Sequence, residues 1–121
     1  MILLVEDDPN ARIVLRFSLC NKGYPVEEAE DGKAATEKLE RMNPGLVLTD
    51  LQMPVMNGIE LVQHIRRFRR LQNLPILVMT AFDAMLSAEA LRSGADDMIH
   101  KPIQLTLLFQ KLETLLSRKQ L

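Results

Sequence analysis

Short apolar runs that end abruptly in acids, a threonine or a lysine constrain this chain more than any other feature. Four stand out: Ile2 to Val5, Leu46 to Thr49, Pro75 to Met79 and Met98 to His100. Each is too short for a helix. The first three are nearly unbroken Leu, Val and Ile, the habit of strands buried on both faces of a parallel sheet. A fifth run, Val26 to Ala29, is half polar and reads as an edge strand.

The segments between the runs carry helical spacing. Ala11, Val14, Leu15, Ser18 and Leu19 share one face, as do Ala35, Leu39 and Met42, then Ile59, Val62 and Ile65, and finally Leu105, Leu108, Leu112, Leu115 and Leu116. Asp8-Pro9 suits a cap and first turn, while Lys22-Gly23, Asn43-Pro44-Gly45 and Ser93-Gly94 read as helix stops. Strand and helix alternate five times, without a domain-scale linker. That predicts a doubly wound α/β fold, one domain over residues 1–121, with right-handed crossovers and helices on both faces. The sheet order 2-1-3-4-5 places the polar Val26 run at an edge.

Composition narrows the function. Of 121 residues, 47% are hydrophobic and 26% charged, and the formal net charge is -1. That balance argues against direct nucleic-acid binding by this domain. Cys20 is the only cysteine, which fits a reducing cytoplasm. No apolar run approaches the roughly 20 residues needed to cross a bilayer. The first eight residues lack the basic region of a signal peptide. The expectation is a cytoplasmic protein with no membrane partner.

In an open parallel sheet the ligand crevice lies outside the carboxyl ends of the strands. There the first run meets Glu6-Asp7-Asp8, the second Asp50, the third Thr80-Ala81 and the fourth Lys101-Pro102. Taken singly each has a bland reading: a solvated helix start, a turn acid, a strand-end threonine, a surface lysine. Their joint placement at successive strand ends is hard to explain that way. Crowded carboxylates repel, and a divalent cation between them offsets the cost. Oxygen-only ligands suit Mg²⁺. A carboxylate is also a competent nucleophile toward phosphorus, with Lys101 and Thr80 available to phosphoryl oxygens.

Over essentially its full length the chain resembles the receiver domains of two-component response regulators, the CheY-like superfamily. The matching motifs are Leu4-Val5-Glu6-Asp7-Asp8, the segment from Thr49-Asp50 through Met53-Pro54 to Asn57-Gly58, Met79-Thr80-Ala81, and Gly94-Ala95-Asp96-Asp97 followed by Lys101-Pro102. The resemblance implies a flavodoxin-like (βα)5 fold and a phosphorelay signalling role rather than an enzyme. Asp50 receives a phosphoryl group from a sensor histidine kinase, a phosphotransfer protein or a small phosphodonor. Mg²⁺ (or Mn²⁺) is held by Asp7, Asp50 and the main-chain carbonyl of Gln52, with Glu6 acting through water. Thr80 and the Ala81 amide hold phosphoryl oxygens. Lys101 pairs with Asp50 and then with the phosphate, and its peptide to Pro102 resembles one that is cis in the family. Asp8 is read as a helix cap.

The chain departs from the family in two places. Met98 stands where an aromatic switch residue is usual, three residues before the lysine. The stretch from Thr80 to Lys101 is one residue short, with Phe82 placed to limit water access to the site. The implied output surface is the fourth helix, fifth strand and last helix. Two states stay open for it: a monomer with an ordinary amphipathic last helix, or a homodimer in which Lys111 pairs with Asp97 of a partner. Ser87 stands where that branch usually has a base. Arg66-Arg67-Phe68-Arg69-Arg70 reads as a solvated basic face. His64 and His100 lack metal-ligand spacing. A small phosphatase using an aspartyl phosphate is the competing enzyme reading, weakened by Gln52 where such enzymes carry a second acid. A degenerate receiver that only binds partners is weakened by the intact Glu6, Asp7, Asp50, Thr80 and Lys101.

Overall fold

The computed structural model describes residues 1–81 and 83–119. Five strands, β1 (Ile2–Val5), β2 (Val26–Ala29), β3 (Leu46–Asp50), β4 (Ile76–Thr80) and β5 (Asp97–His100), alternate with five helices. These are α1 (Pro9–Asn21), α2 (Gly32–Leu39), α3 (Gly58–Arg66), α4 (Ala84–Ser93) and α5 (Leu105–Lys119). The sheet order is β2-β1-β3-β4-β5 and every pairing is parallel, as the sequence predicts.

Period-2 alternation sends neighbouring side chains of each strand to opposite faces, and both faces are covered. Leu3, Val5, Val47, Ile76 and Val78 pack on one side with Leu39 of α2, Ile65 of α3 and Ala90 of α4. Ile2, Leu4, Leu48, Leu77 and Met79 pack on the other with Leu15 and Leu19 of α1 and Leu108 and Leu112 of α5. Each residue of β1, β3 and β4 is buried, which is why those runs contain almost no polar residue before their last position.

Side chains start the helices. Asp8 accepts from the Asn10 amide, Asp31 from Ala34, and Asp83 from Met85 and Leu86. Asn57 and Glu60 exchange bonds as a capping box at α3. Three residues expected on inward helix faces are elsewhere. Val14 is 62% exposed and Leu105 40%, and Met42 lies beyond the end of α2. In α1 apolar residues cover several sides, and of them Leu15 and Leu19 are buried. Helix α2 stops at Leu39, whose carbonyl accepts a bond from the Arg70 guanidinium, well before the expected stop at Asn43-Pro44-Gly45.

That contact also corrects the reading of the basic run. Arg66 donates to the carbonyls of Gly94 (3.0 Å), Leu71 (2.9 Å) and Gln72 (3.2 Å) and pairs with Asp96 at 3.0 Å. Arg70 joins α2 to the Asn43 side chain at 3.1 Å. Two of the four arginines therefore tie elements together; Arg67 and Arg69 are exposed. Their spacing gave no sign of this, because the accepting carbonyls lie up to 31 residues away.

Candidate functional site

Register brings the site together. Val5 is level with Thr49, Asp50 with Met79, and Thr80 with His100. Glu6, Asp50, Thr80 and Lys101 therefore emerge along one edge of the sheet, at the carboxyl ends of β1, β3, β4 and β5.

Lys101 is the hub. Its Nζ lies 2.5 Å from Asp50 Oδ2 and 3.2 Å from Glu6 Oε1. The peptide between Lys101 and Pro102 is cis. The Lys101 main-chain N–H donates to the Thr80 carbonyl at 2.8 Å, which fixes the start of the lysine side chain beside β4. Glu6, Asp7 and Asp50 offer carboxylate oxygens that all lie within 4.8 Å of one another. Glu6 and Asp50 are buried and Asp7 is exposed, so the cluster opens to solvent on the Asp7 side.

The electrostatics follow from this crowding. Burial pushes the Glu6 carboxyl up from 4.5 to about 7, the neighbouring Asp50 charge pushes the same way, and Lys101 only partly opposes them. Burial alone lowers the Lys101 ammonium, but hydrogen bonding and attraction from Asp50 and Glu6 outweigh it and hold the group above its ordinary value. One lysine is thus set against three acids. Hard oxygen donors with one open side are the donor set that a small divalent cation such as Mg²⁺ or Mn²⁺ takes, with water filling the remaining positions. The residues present fit such an ion.

Other expected site residues are placed less directly. The Thr80 side chain is buried, and its hydroxyl donates to the Ala81 carbonyl at 2.6 Å rather than to Asp50. Ala81 is exposed in the loop after β4. Gln52 is exposed, and its amide donates to Asp50 Oδ1 at 3.1 Å. Asp8 caps α1, as expected, and its amide reaches Glu6 Oε2 at 3.4 Å. Phe82 lies outside the described residues. Met98 is half-buried against the core layer that includes Ala90 of α4. Ser87 is buried and its hydroxyl donates to the Asp83 carbonyl, so it is not on the exposed face of α4. Lys111 pairs with Asp97 of its own chain at 2.9 Å.

Two residues were not singled out as site residues in the sequence. Arg12 donates to the Glu6 carbonyl at 2.7 Å and tethers the β1 end to α1. Nothing in its spacing marks it. Gly58, at the start of α3, donates to the Leu51 carbonyl at 2.8 Å. A Cβ there would clash with the Asp50 carbonyl and lie 2.7 Å from Leu51 Cα. The glycine lets α3 abut the residue pair that presents the Asp50 carboxylate. Its place in a recognisable motif was the available signal.

An open parallel sheet with an acid cluster and a lysine at its carboxyl edge defines a doubly wound module with a cation-compatible crevice. The model of the response regulator receiver domain family matches residues 2–113, and the chain belongs to that family. It is 40% identical to the response regulator MprA of Mycolicibacterium vanbaalenii over 118 residues, 97% of this chain and 50% of that protein. It is also 40% identical to an uncharacterized 14.6 kDa protein of Leptolyngbya boryana over 103 residues, 84% of this chain and 79% of that one. The chain thus spans about half the length of its MprA relatives. Among solved structures, the receiver domain of a histidine kinase from Syntrophus aciditrophicus is 32% identical with a TM-score of 0.90, covering 96% of this chain and 89% of that one. The receiver domain of sensor histidine kinase PA1611 from Pseudomonas aeruginosa, with a magnesium ion coordinated in its active-site cleft, is 31% identical with a TM-score of 0.89 and covers 96% of each chain.

Proposed function

We propose that residues 1–121 form one receiver domain in which Asp50 accepts a phosphoryl group in a divalent-cation-dependent reaction. The observation that carries this reading is the arrangement at Asp50. Its carboxylate is held by Lys101 at 2.5 Å and stands within a carboxylate cluster able to hold an ion. Asp7, Asp50 and the Gln52 main-chain carbonyl would hold Mg²⁺ or Mn²⁺ directly, with Glu6 acting through water. The magnesium in the related PA1611 receiver supports that assignment. The ion supplies positive charge for the oxygens of the transferring group.

The chain's own residues supply the rest. An Asp50 carboxylate oxygen forms a bond to phosphorus as the donor's bond to phosphorus breaks, and the donor leaves with that electron pair. Lys101 already touches this carboxylate and is placed to follow the charge onto the phosphoryl oxygens. The Thr80 hydroxyl, now on the Ala81 carbonyl, turns to the same oxygens together with the Ala81 amide. Phosphorylation adds about -1.5 to -2 charges at this one point. The buried carboxylate of Glu6 then raises the cost of retaining that charge without a cation.

The donor is a sensor histidine kinase, a phosphotransfer protein or a small acyl phosphate. The chain signals rather than turning over a substrate, and it acts in the cytoplasm. Among the described residues no helix is long and apolar enough to cross a membrane. The output surface is α4, β5 and α5. Its Lys111–Asp97 contact is internal, so a homodimer through this face exchanges that pair between chains. Met98 replaces the aromatic switch residue and packs adaptably.

The test is incubation with acetyl phosphate and Mg²⁺ followed by intact-mass measurement. One phosphoryl adduct is expected on the parent chain, and none with EDTA or on Asp50→Asn. An equal adduct on Asp50→Asn sinks the assignment, and so does no adduct from either acetyl phosphate or a phosphorylated histidine donor.

A further inference from the structure

The loop between β3 and α3 holds a conformation that its own sequence opposes. Val55 has φ 70°. The Met56 N–H donates to the Pro54 carbonyl at 2.8 Å, closing a three-residue γ-turn around Val55. A γ-turn with positive φ at its centre is the rare, strained form, and a β-branched residue suits it poorly. Val55 is 77% exposed, so its own packing does not hold it there. Strain of this kind persists only where the surroundings fix it.

Gly32, the first residue of α2, supplies such a surrounding. It is buried, and a Cβ there would lie 2.7 Å from the Met56 carbonyl oxygen, 2.8 Å from Met56 Cγ and 2.9 Å from Met56 Cβ. Its backbone is one that any residue adopts, and alanine is the better helix former. What the position requires is therefore space. Asp31 fixes the helix start by accepting from the Ala34 amide at 2.8 Å, which gives Met56 a firm seat. Met56 also packs on the core layer beneath. The loop it anchors begins at Gln52, whose amide holds Asp50 Oδ1.

We infer that Gly32 is a positioning residue for the phosphoacceptor loop. Its missing side chain seats Met56 on α2, and that seat holds the turn at Val55, and through it the Gln52 carbonyl and the Asp50 carboxylate. The inference rests on the divalent-cation reading of the site.

The test is the Mg²⁺ dissociation constant of the folded, unphosphorylated protein, measured by calorimetry at pH 8. Gly32→Ala weakens binding about tenfold, the scale of losing a group that orients a ligand. Gly45→Ala is the control, because a Cβ there meets nothing closer than 3.5 Å; it changes binding by less than about twofold. Asparagine tolerates positive φ, so adding Val55→Asn to Gly32→Ala restores part of the lost affinity. A merely structural glycine would lower the unfolding temperature and leave the Mg²⁺ affinity of the folded protein unchanged, with no rescue. If the parent chain binds Mg²⁺ and Gly32→Ala binds it equally, the inference is wrong and the metal reading stands. If the parent chain binds no Mg²⁺, the reading beneath it fails. Should Gly32→Ala not fold, Met56→Ala removes the same contact without adding an atom. It weakens binding about threefold, and unchanged affinity in it overturns the inference.

Discussion

Replacing Glu6 with glutamine tests the electrostatics of the acid cluster while preserving its shape. The Glu6 carboxyl sits at about 7 in the folded chain against an ordinary 4.5, first because it is buried and then because Asp50 adjoins it. At roughly 1.4 kcal/mol per pH unit, that displacement amounts to about 3 kcal/mol between its two protonation states. The sign follows from proton counts. Between pH 4.5 and 7 the folded chain holds a proton on Glu6 that the unfolded chain has lost. Stability contributed by this group is therefore present at low pH and falls as pH rises through that window. Glutamine cannot ionise, so Glu6→Gln lacks this slope. Urea unfolding of both proteins in EDTA at pH 5, 6, 7 and 8 measures it. The variant should gain on the parent by about 2 kcal/mol from pH 5 to pH 8, somewhat below the full figure because part of the displacement lies below pH 5. Titrating groups that do not touch Glu6 cancel in the difference. A difference that stays constant with pH would refute the account of a crowded, under-neutralised cluster. At pH 8, Mg²⁺ at 100 times its dissociation constant should restore about 2.7 kcal/mol to the parent chain.

Other perturbations probe the surroundings of the cluster. Lys101→Met leaves Glu6 and Asp50 without their cation and should cost about 3 kcal/mol at pH 8 in EDTA, less in Mg²⁺, by urea unfolding. Arg66→Met removes the donor that the Gly94, Leu71 and Gln72 carbonyls and Asp96 share, and should lower stability by about 2–3 kcal/mol; Arg66→Lys should recover little, because one ammonium cannot reach all four acceptors. Val55→Asn relieves the left-handed backbone and should raise stability by about 1 kcal/mol in thermal unfolding.

Much of the fold was legible because burial on both faces leaves a plain mark. The runs at Ile2, Leu46 and Pro75 are apolar at nearly every position, and the half-polar Val26 run reported the sheet edge. The site was legible for a related reason: Glu6, Asp50, Thr80 and Lys101 interrupt those runs where each strand leaves the core. Less could be read where apolar residues are plentiful. Ile13, Val14 and Phe17 crowd α1 beyond what the sheet covers, so spacing alone could not say which faces inward. Arg66 and Arg70 were unreadable for the opposite reason, since carbonyl acceptors leave no trace in sequence. The same holds for Gly32, whose role depends on a methionine 24 residues away. For Lys111 the sequence left open a contact to Asp97 of a second chain or none, and within the chain it already has Asp97.

The central claim is that Asp50, among all the acids, takes the phosphoryl group. Borohydride reduction of the phosphorylated chain converts an aspartyl phosphate to homoserine, and peptide mass mapping locates the change. The account predicts homoserine at position 50 alone, and only after incubation with donor and divalent cation. Homoserine at another acid, or phosphate on the chain with none at position 50, would contradict it.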